Sequence, residues 1–206
     1  MEEAHRHATR ALAIVERTPP RAAGDLILFY LLAAETSPAS EHRERDRLYG
    51  RARELCRAAG PQYTWGCVGV HDNQAAALRE RGQCRRALPL YQQAIDLVRS
   101  IEGVEPSASA TILAGRGLCL SQLGRHRSAV AEAERAHRLL AGDAPPADAA
   151  AIKHALGRVL AAAGRERVRA AELRRAARAL YVAAGAGHDS DLREVDQALR
   201  DLAARR

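Results

Sequence analysis

Aromatic residues are nearly missing from this chain: they make up 3% of its 206 residues, with a single Trp and a single Phe. That argues against a β-sandwich or barrel, whose core draws on rings and β-branched side chains. Lysine is missing but for Lys153, so the formal net charge of +7 is carried almost wholly by Arg. Arg and Glu are interleaved rather than segregated, which fits solvated helix faces better than one basic surface. No apolar run is long enough to span a bilayer: the longest, LILFYLL at 26–32, falls well short of the roughly 20 residues required. It reads as a buried helix.

The catalytic signatures are missing too. There is no H-E-x-x-H, no G-x-x-x-x-G-K-[ST] and no G-x-S-x-G. His5 and His7, two apart, point away from each other on a helix. His71 and Asp72 are adjacent and read as a solvated helix face. No cofactor, metal ion or catalytic residue is expected. The four cysteines, Cys56, Cys67, Cys84 and Cys119, have no C-x-x-C spacing, so a zinc site has little support. They sit in apolar helical patterns, where free Cys serves as a small buried hydrophobe. A reducing, cytoplasmic setting is expected, and the charged start MEEAHRHATR does not resemble a signal peptide.

What is present is Ala, charge and repetition: 47% of the residues are hydrophobic, enough for a helical core packed through small side chains. Gly82, Gly124 and Gly164 stand 42 and 40 residues apart, and Ala87, Ala94 and Leu97 fall on Ala129, Ala136 and Leu139. Backwards, Tyr91, Ala94 and Leu97 fall on Tyr49, Ala52 and Leu55. A fixed period of this length signals a solenoid of helix pairs. Each Gly suits a left-handed stop after a first helix. Gly117 and Gly157, inside first helices, would let paired helices cross closely. The expected divisions are a helix over 1–17, pairs over 24–60, 64–101, 106–141 and 146–183, and a closing helix over 189–204, in one array spanning 1–206. Thr18-Pro19-Pro20, Ser37-Pro38, Gly60-Pro61, 103–106 and 142–146 punctuate them. Pro106 and Pro145 fit first turns, whereas Pro89 falls inside a helix. Leu192, Val195, Leu199 and Leu202 give the last helix one apolar stripe, and Asp191 with Glu194 resembles a capping box. The first helix has three open roles: a cap, a dimer contact through Leu12 and Val15, or part of a longer chain.

On Leu156-Gly157, Leu160 and Gly164 in a first helix, and Ala87, Leu88, Pro89, Leu90, Tyr91 and Ala94 in a second, the chain resembles the tetratricopeptide repeat family. The likeness is to its longer-period members, found in kinesin light chains and bacterial proteins. It covers 64–183 well and 24–60 loosely. Gln74 and Arg116 depart from it, standing where the family prefers Leu. The resemblance implies an all-α, right-handed α-solenoid of stacked antiparallel helix pairs, with first helices lining a concave groove that receives a peptide or partner segment. Carried over by position, the groove candidates are Asp72, Asn73, Arg79 and Glu80, then Ser121 and Gln122, then His154 and Arg158. Arg79 and Arg158 are suited to holding a carboxylate. The implied function is protein–protein interaction as scaffold or adaptor, with a bacterial regulatory or sensor array as the alternative. A homodimer through the N-terminal helix is a further option. Nucleic-acid binding would use Arg167, Arg174 and Arg178 on one basic face, but that region offers only Tyr181 for stacking.

Overall fold

The computed structural model describes residues 2–17, 24–38, 40–140, 142 and 144–204. The expected break at Thr18-Pro19-Pro20 lies outside them. Among the described residues there are ten α-helices and no strand. They are α1 (Glu2–Arg17), α2 (Asp25–Thr36), α3 (His42–Ala58), α4 (Thr64–Glu80), α5 (Cys84–Ser100), α6 (Ala110–Gln122), α7 (His126–Arg138), α8 (Pro146–Ala162), α9 (Arg167–Ala184) and α10 (Asp189–Ala204). Short 3-10 turns, Pro61–Tyr63 and Pro106–Ser109, lead into α4 and α6. Proline opens both turns and the first turn of α8, where a missing N–H breaks no helical bond. The helix α5 runs unbroken through Pro89.

The chain folds as two compact units. The first takes in 1–81 and 89–103, the second 82–88 and 104–206. In the first unit α1 packs on α2, and α2 on α3. Its core holds Ala8, Leu12, Ile27, Tyr30, Leu48 and Tyr49. Leu12, one half of the dimer contact considered above, is therefore used inside the unit. The second unit stacks α6 on α7 and α8 on α9, with α10 against α9. Leu156, Val159 and Leu160 are fully buried among Ala129, Ala133 and Ala170. The terminal stripe packs as its spacing predicts: Val195 is fully buried, with Leu192 and Leu199 beside it.

The turns explain why the helices double back. Gly82, Gly124 and Gly164 have φ of 71°, 72° and 67°, a conformation that costs an L residue with a Cβ about 1–2 kcal/mol. At two of these turns the bonding is complete: Gly124 N–H donates to the Ser121 carbonyl and Arg125 N–H to that of Leu120. Gly164 and Arg165 do the same to Ala161 and Leu160. Those bonds satisfy carbonyls that the helix end would otherwise orphan. The close crossings are real as well. A Cβ on Gly157 would stand 2.9 Å from the Ala170 carbonyl oxygen, and one on Gly117 3.3 Å from that of Ala129.

The departures from the expected Leu positions carry partners. Arg116 makes a two-pronged pair with Glu132 at 2.6 and 3.2 Å. Gln74, 6% exposed, accepts a long bond of 3.4 Å from Arg53. The capping-box reading of Asp191 and Glu194 is corrected. The helix α10 already begins at Asp189, and the Glu194 carboxylate is drawn to Arg158.

Candidate functional site

The first unit presents α2 and α4 side by side. A Cβ on Gly66 would lie 3.6 Å from Leu28, and one on Gly69 3.2 Å from Leu31. Asn73 donates to the Glu35 carboxylate. These pairs keep one sequence offset, so the two helices run parallel. The small residues at 66 and 69 set how closely they approach. Along α2, Leu28, Leu32 and Glu35 share a stripe at i, i+4 and i+7. Along α4, Trp65, Gly69, Asp72 and Ala76 do the same. Leu28 is 60% exposed, Leu32 47% and Trp65 51%. The expectation that LILFYLL is buried is corrected here: Ile27 and Tyr30 go inside, while Leu28 and Leu32 face out. An apolar run with no helical period held more apolar surface than one packed face can cover.

Four candidates, Asp72, Asn73, Arg79 and Glu80, lie on α4. Burial pushes the Asp72 carboxyl up to about 6, with Arg79 pulling it back. Arg79 is half-buried, 3.9 Å from Glu80, and its Nε has no hydrogen-bond partner. The same holds for the hydroxyl of Tyr91, which is 1% exposed. Next to Asp72, burial and then Arg53 and Arg57 push His71 down to about 4. His71 and Asp72 thus diverge from the solvated face expected of them.

These two shifts act on stability with opposite signs. The unfolded values are 3.8 for Asp72 and 6.5 for His71. Between about 4 and 6 the native state keeps a proton on Asp72 that the unfolded chain releases, so this term weakens the fold as pH rises. Over the same window it lacks a proton on His71 that the unfolded chain takes up, so that term strengthens the fold as pH rises. Relative to the unmodified chain, Asp72→Asn should make the urea midpoint climb more steeply with pH in this window. His71→Gln should make it climb less steeply. Parallel curves for all three proteins would show that neither group is shifted.

The other four candidates lie in the second unit. Ser121 is half-buried and its carbonyl serves the Gly124 turn. Gln122 is exposed, with Oε1 3.0 Å from Cys84 Sγ. His154 and Arg158 converge on Glu194 of α10: Arg158 pairs with its carboxylate, and His154 Nε2 lies 3.5 Å away. Arg158 is thus suited to a carboxylate, but the one it holds is supplied by the chain's own last helix.

The basic face expected from Arg167, Arg174 and Arg178 is corrected. Arg174 is 6% exposed and donates to the Ala198 carbonyl at 2.8 Å, its stem lying over Gly157. Burial, and then Arg158, lower its pKa. Arg178 pairs with Asp196 at 2.7 Å. Elsewhere the interleaving makes local pairs, Arg47 with Glu44 and Arg51 with Glu54, exposed and therefore weak. The reading of the cysteines as thiols is corrected too. Cys56 is bonded to Cys67 and Cys84 to Cys119, with Cα atoms 5.7 and 5.1 Å apart. Their burial was legible, since Cys67, Cys84 and Cys119 are each under 5% exposed. Their pairing was not, and the cysteine argument for a reducing compartment falls with it.

Among the described residues no cluster of three His, Cys, Asp or Glu side chains is placed to hold a metal ion. No helix among them is long and apolar enough to cross a membrane. No curated protein matches the chain. Solved structures that share its fold include the following two. BtubC (BKLC) from P. vanneervenii is 20% identical, covers 98% of this chain and 82% of its own, and gives a TM-score of 0.70. PlcR from Bacillus thuringiensis, solved with the peptide PapR7 and DNA, is 9% identical, covers 97% and 68%, and gives 0.65. The tetratricopeptide repeat family itself matches residues 68–141, a stretch that runs from inside α4 to just past α7. Helix pairs closed by left-handed glycines run through that stretch, so over residues 68–141 the chain is similar to the tetratricopeptide repeat family.

Proposed function

We propose that the protein is an interaction module that takes a partner's peptide segment along the α2–α4 face of the first unit, its four helix pairs serving as one array. The observation that carries this is the exposure of Leu28, Leu32 and Trp65 in stripes that continue into Glu35 and Asp72. Large apolar side chains held in water beside polar anchors mark a binding surface, and Trp is the residue most enriched at binding hot spots. Glu35, Asp72 and Glu80 outnumber Arg79 on this face, so it favours a segment with apolar residues followed by a basic one. A cation placed there would favour the ionised form of Asp72.

Selection of phage-displayed peptides on the immobilised full chain tests this. Enriched peptides should combine apolar and basic residues. Trp65→Ala and Leu32→Ser should each weaken them by about tenfold or more. Enriched peptides that bind the Trp65→Ala protein unchanged would sink the assignment. A second reading, a regulatory array that senses a peptide, is favoured by the likeness to PlcR, whose solved structure holds both a peptide and DNA.

A further inference from the structure

A cavity of about 470 Å3 opens elsewhere in the first unit. Three helices contribute polar side chains to it: Arg53 and Arg57 from α3, Thr64 and His71 from α4, and Gln93 and Ser100 from α5. Its apolar wall is Leu97 and the Cys56–Cys67 bridge. On α4, Thr64 and His71 lie roughly a third of a turn from the Trp65–Asp72 stripe, so this is not the peptide face.

The charge here is one-sided. No Asp or Glu lines the cavity. Arg47, Arg51 and Arg81 in the same unit each hold a carboxylate. Arg53 and Arg57 hold none among the described residues. Among the described residues the hydrogen bond of Arg53 is the 3.4 Å contact to Gln74, and its Nε is buried without a partner. His71 Nδ1 is also buried without a partner. Two guanidiniums four residues apart on one helix face repel each other, and they add to the burial that suppresses the charge on His71. The first turn of α4, which adjoins the cavity, has no acidic residue to answer its helix dipole.

We propose that this cavity binds a small phosphorylated organic molecule, its phosphate held by Arg53 and Arg57. A phosphate monoester carries a charge of about −1.5 to −2 at neutral pH, which two guanidiniums match, and their N–H forks fit its oxygens. The neutral His71 ring, whose Nδ1 is without a partner, adds a polar contact without adding charge. The volume falls in the range of roughly 300–1,000 Å3 that accommodates whole small molecules, far more than a bare phosphate fills. The organic body of the ligand rests on Leu97 and the sulfur bridge.

Calorimetric titration of the full chain with phenyl phosphate tests the proposal, with inorganic phosphate and benzoate as comparison ligands. Phenyl phosphate should bind once per chain and more tightly than either. Arg53→Gln and Arg57→Gln should each weaken it by about tenfold or more. The double variant Arg85→Gln/Arg86→Gln, at exposed positions outside the cavity, should leave it unchanged. Arg57 is exposed, so its variant reports on binding even if Arg53→Gln unfolds. No saturable heat at millimolar phenyl phosphate would overturn the proposal. So would benzoate or inorganic phosphate binding as tightly, or an equal loss in the double variant.

Discussion

Reducing the protein should lower its unfolding free energy by several kcal/mol, the largest effect expected of any single treatment. The two bridges close chain separations of 11 and 35 residues. By the loop-entropy relation these restrict the unfolded chain by about 3 and about 4 kcal/mol. For a domain whose total stability is of order 5–15 kcal/mol, losing both leaves a marginal fold. The double substitution Cys84→Ala/Cys119→Ala should therefore lower the urea midpoint more than Cys56→Ala/Cys67→Ala. A reductant should have no further effect on the protein lacking all four cysteines. Counting reactive thiols in the denatured, unreduced protein is the direct check. Four free thiols would show that the bridges do not form.

Gly157→Ala should destabilise the second unit, and Gly117→Ala should do so far less. Alanine gains about 1 kcal/mol over glycine inside a helix, so both substitutions start from the same advantage. They differ in what the new methyl meets. At 157 it would stand 2.9 Å from the Ala170 carbonyl oxygen and 3.0 Å from Arg174 Cγ. The first is backbone, and the second belongs to a side chain pinned by its bond to Ala198. Neither can swing aside, so α8 and α9 must separate, at a cost of about 1–3 kcal/mol that outweighs the gain. At 117 the nearest atoms are 3.3 and 3.4 Å away, within reach of a small adjustment. Its net change should lie within about 1 kcal/mol of zero. Urea unfolding of the two variants decides it. Equal effects would mean that the α8–α9 crossing is not set by the glycine.

The glycine logic was legible because it is local. A helix stop needs one φ and a close crossing needs one missing methyl, and both leave a residue type at a fixed position. The Arg/Glu interleaving and the terminal stripe were legible for the same reason. Three features were not. The cysteine pairs depend on which helix ends meet, and separations of 11 and 35 residues carry no pattern of their own. Arg174 looked like its neighbours on a basic face, but the space over Gly157 draws its stem inward. The exposed side of α2 was hidden in an apolar run with no period, where nothing in the order of residues says which ones face water. Arg158 of α8 pairs with a carboxylate, but the sequence could not show that Glu194 of the same chain would supply it.

The bridges have one more effect. Each ties the second helix of a pair to the first helix of the next, α3 to α4 and α5 to α6. A chain held at its two ends and stretched cannot draw length from inside a closed loop. With the bridges intact, the enclosed stretches of 11 and 35 residues stay out of the extension curve. Reduction releases them, and the fully extended molecule becomes longer by about 150 Å at roughly 3.3–3.6 Å per residue. In this array the oxidation state of four sulfurs sets not only how firmly the helices hold but how far the molecule can reach under load.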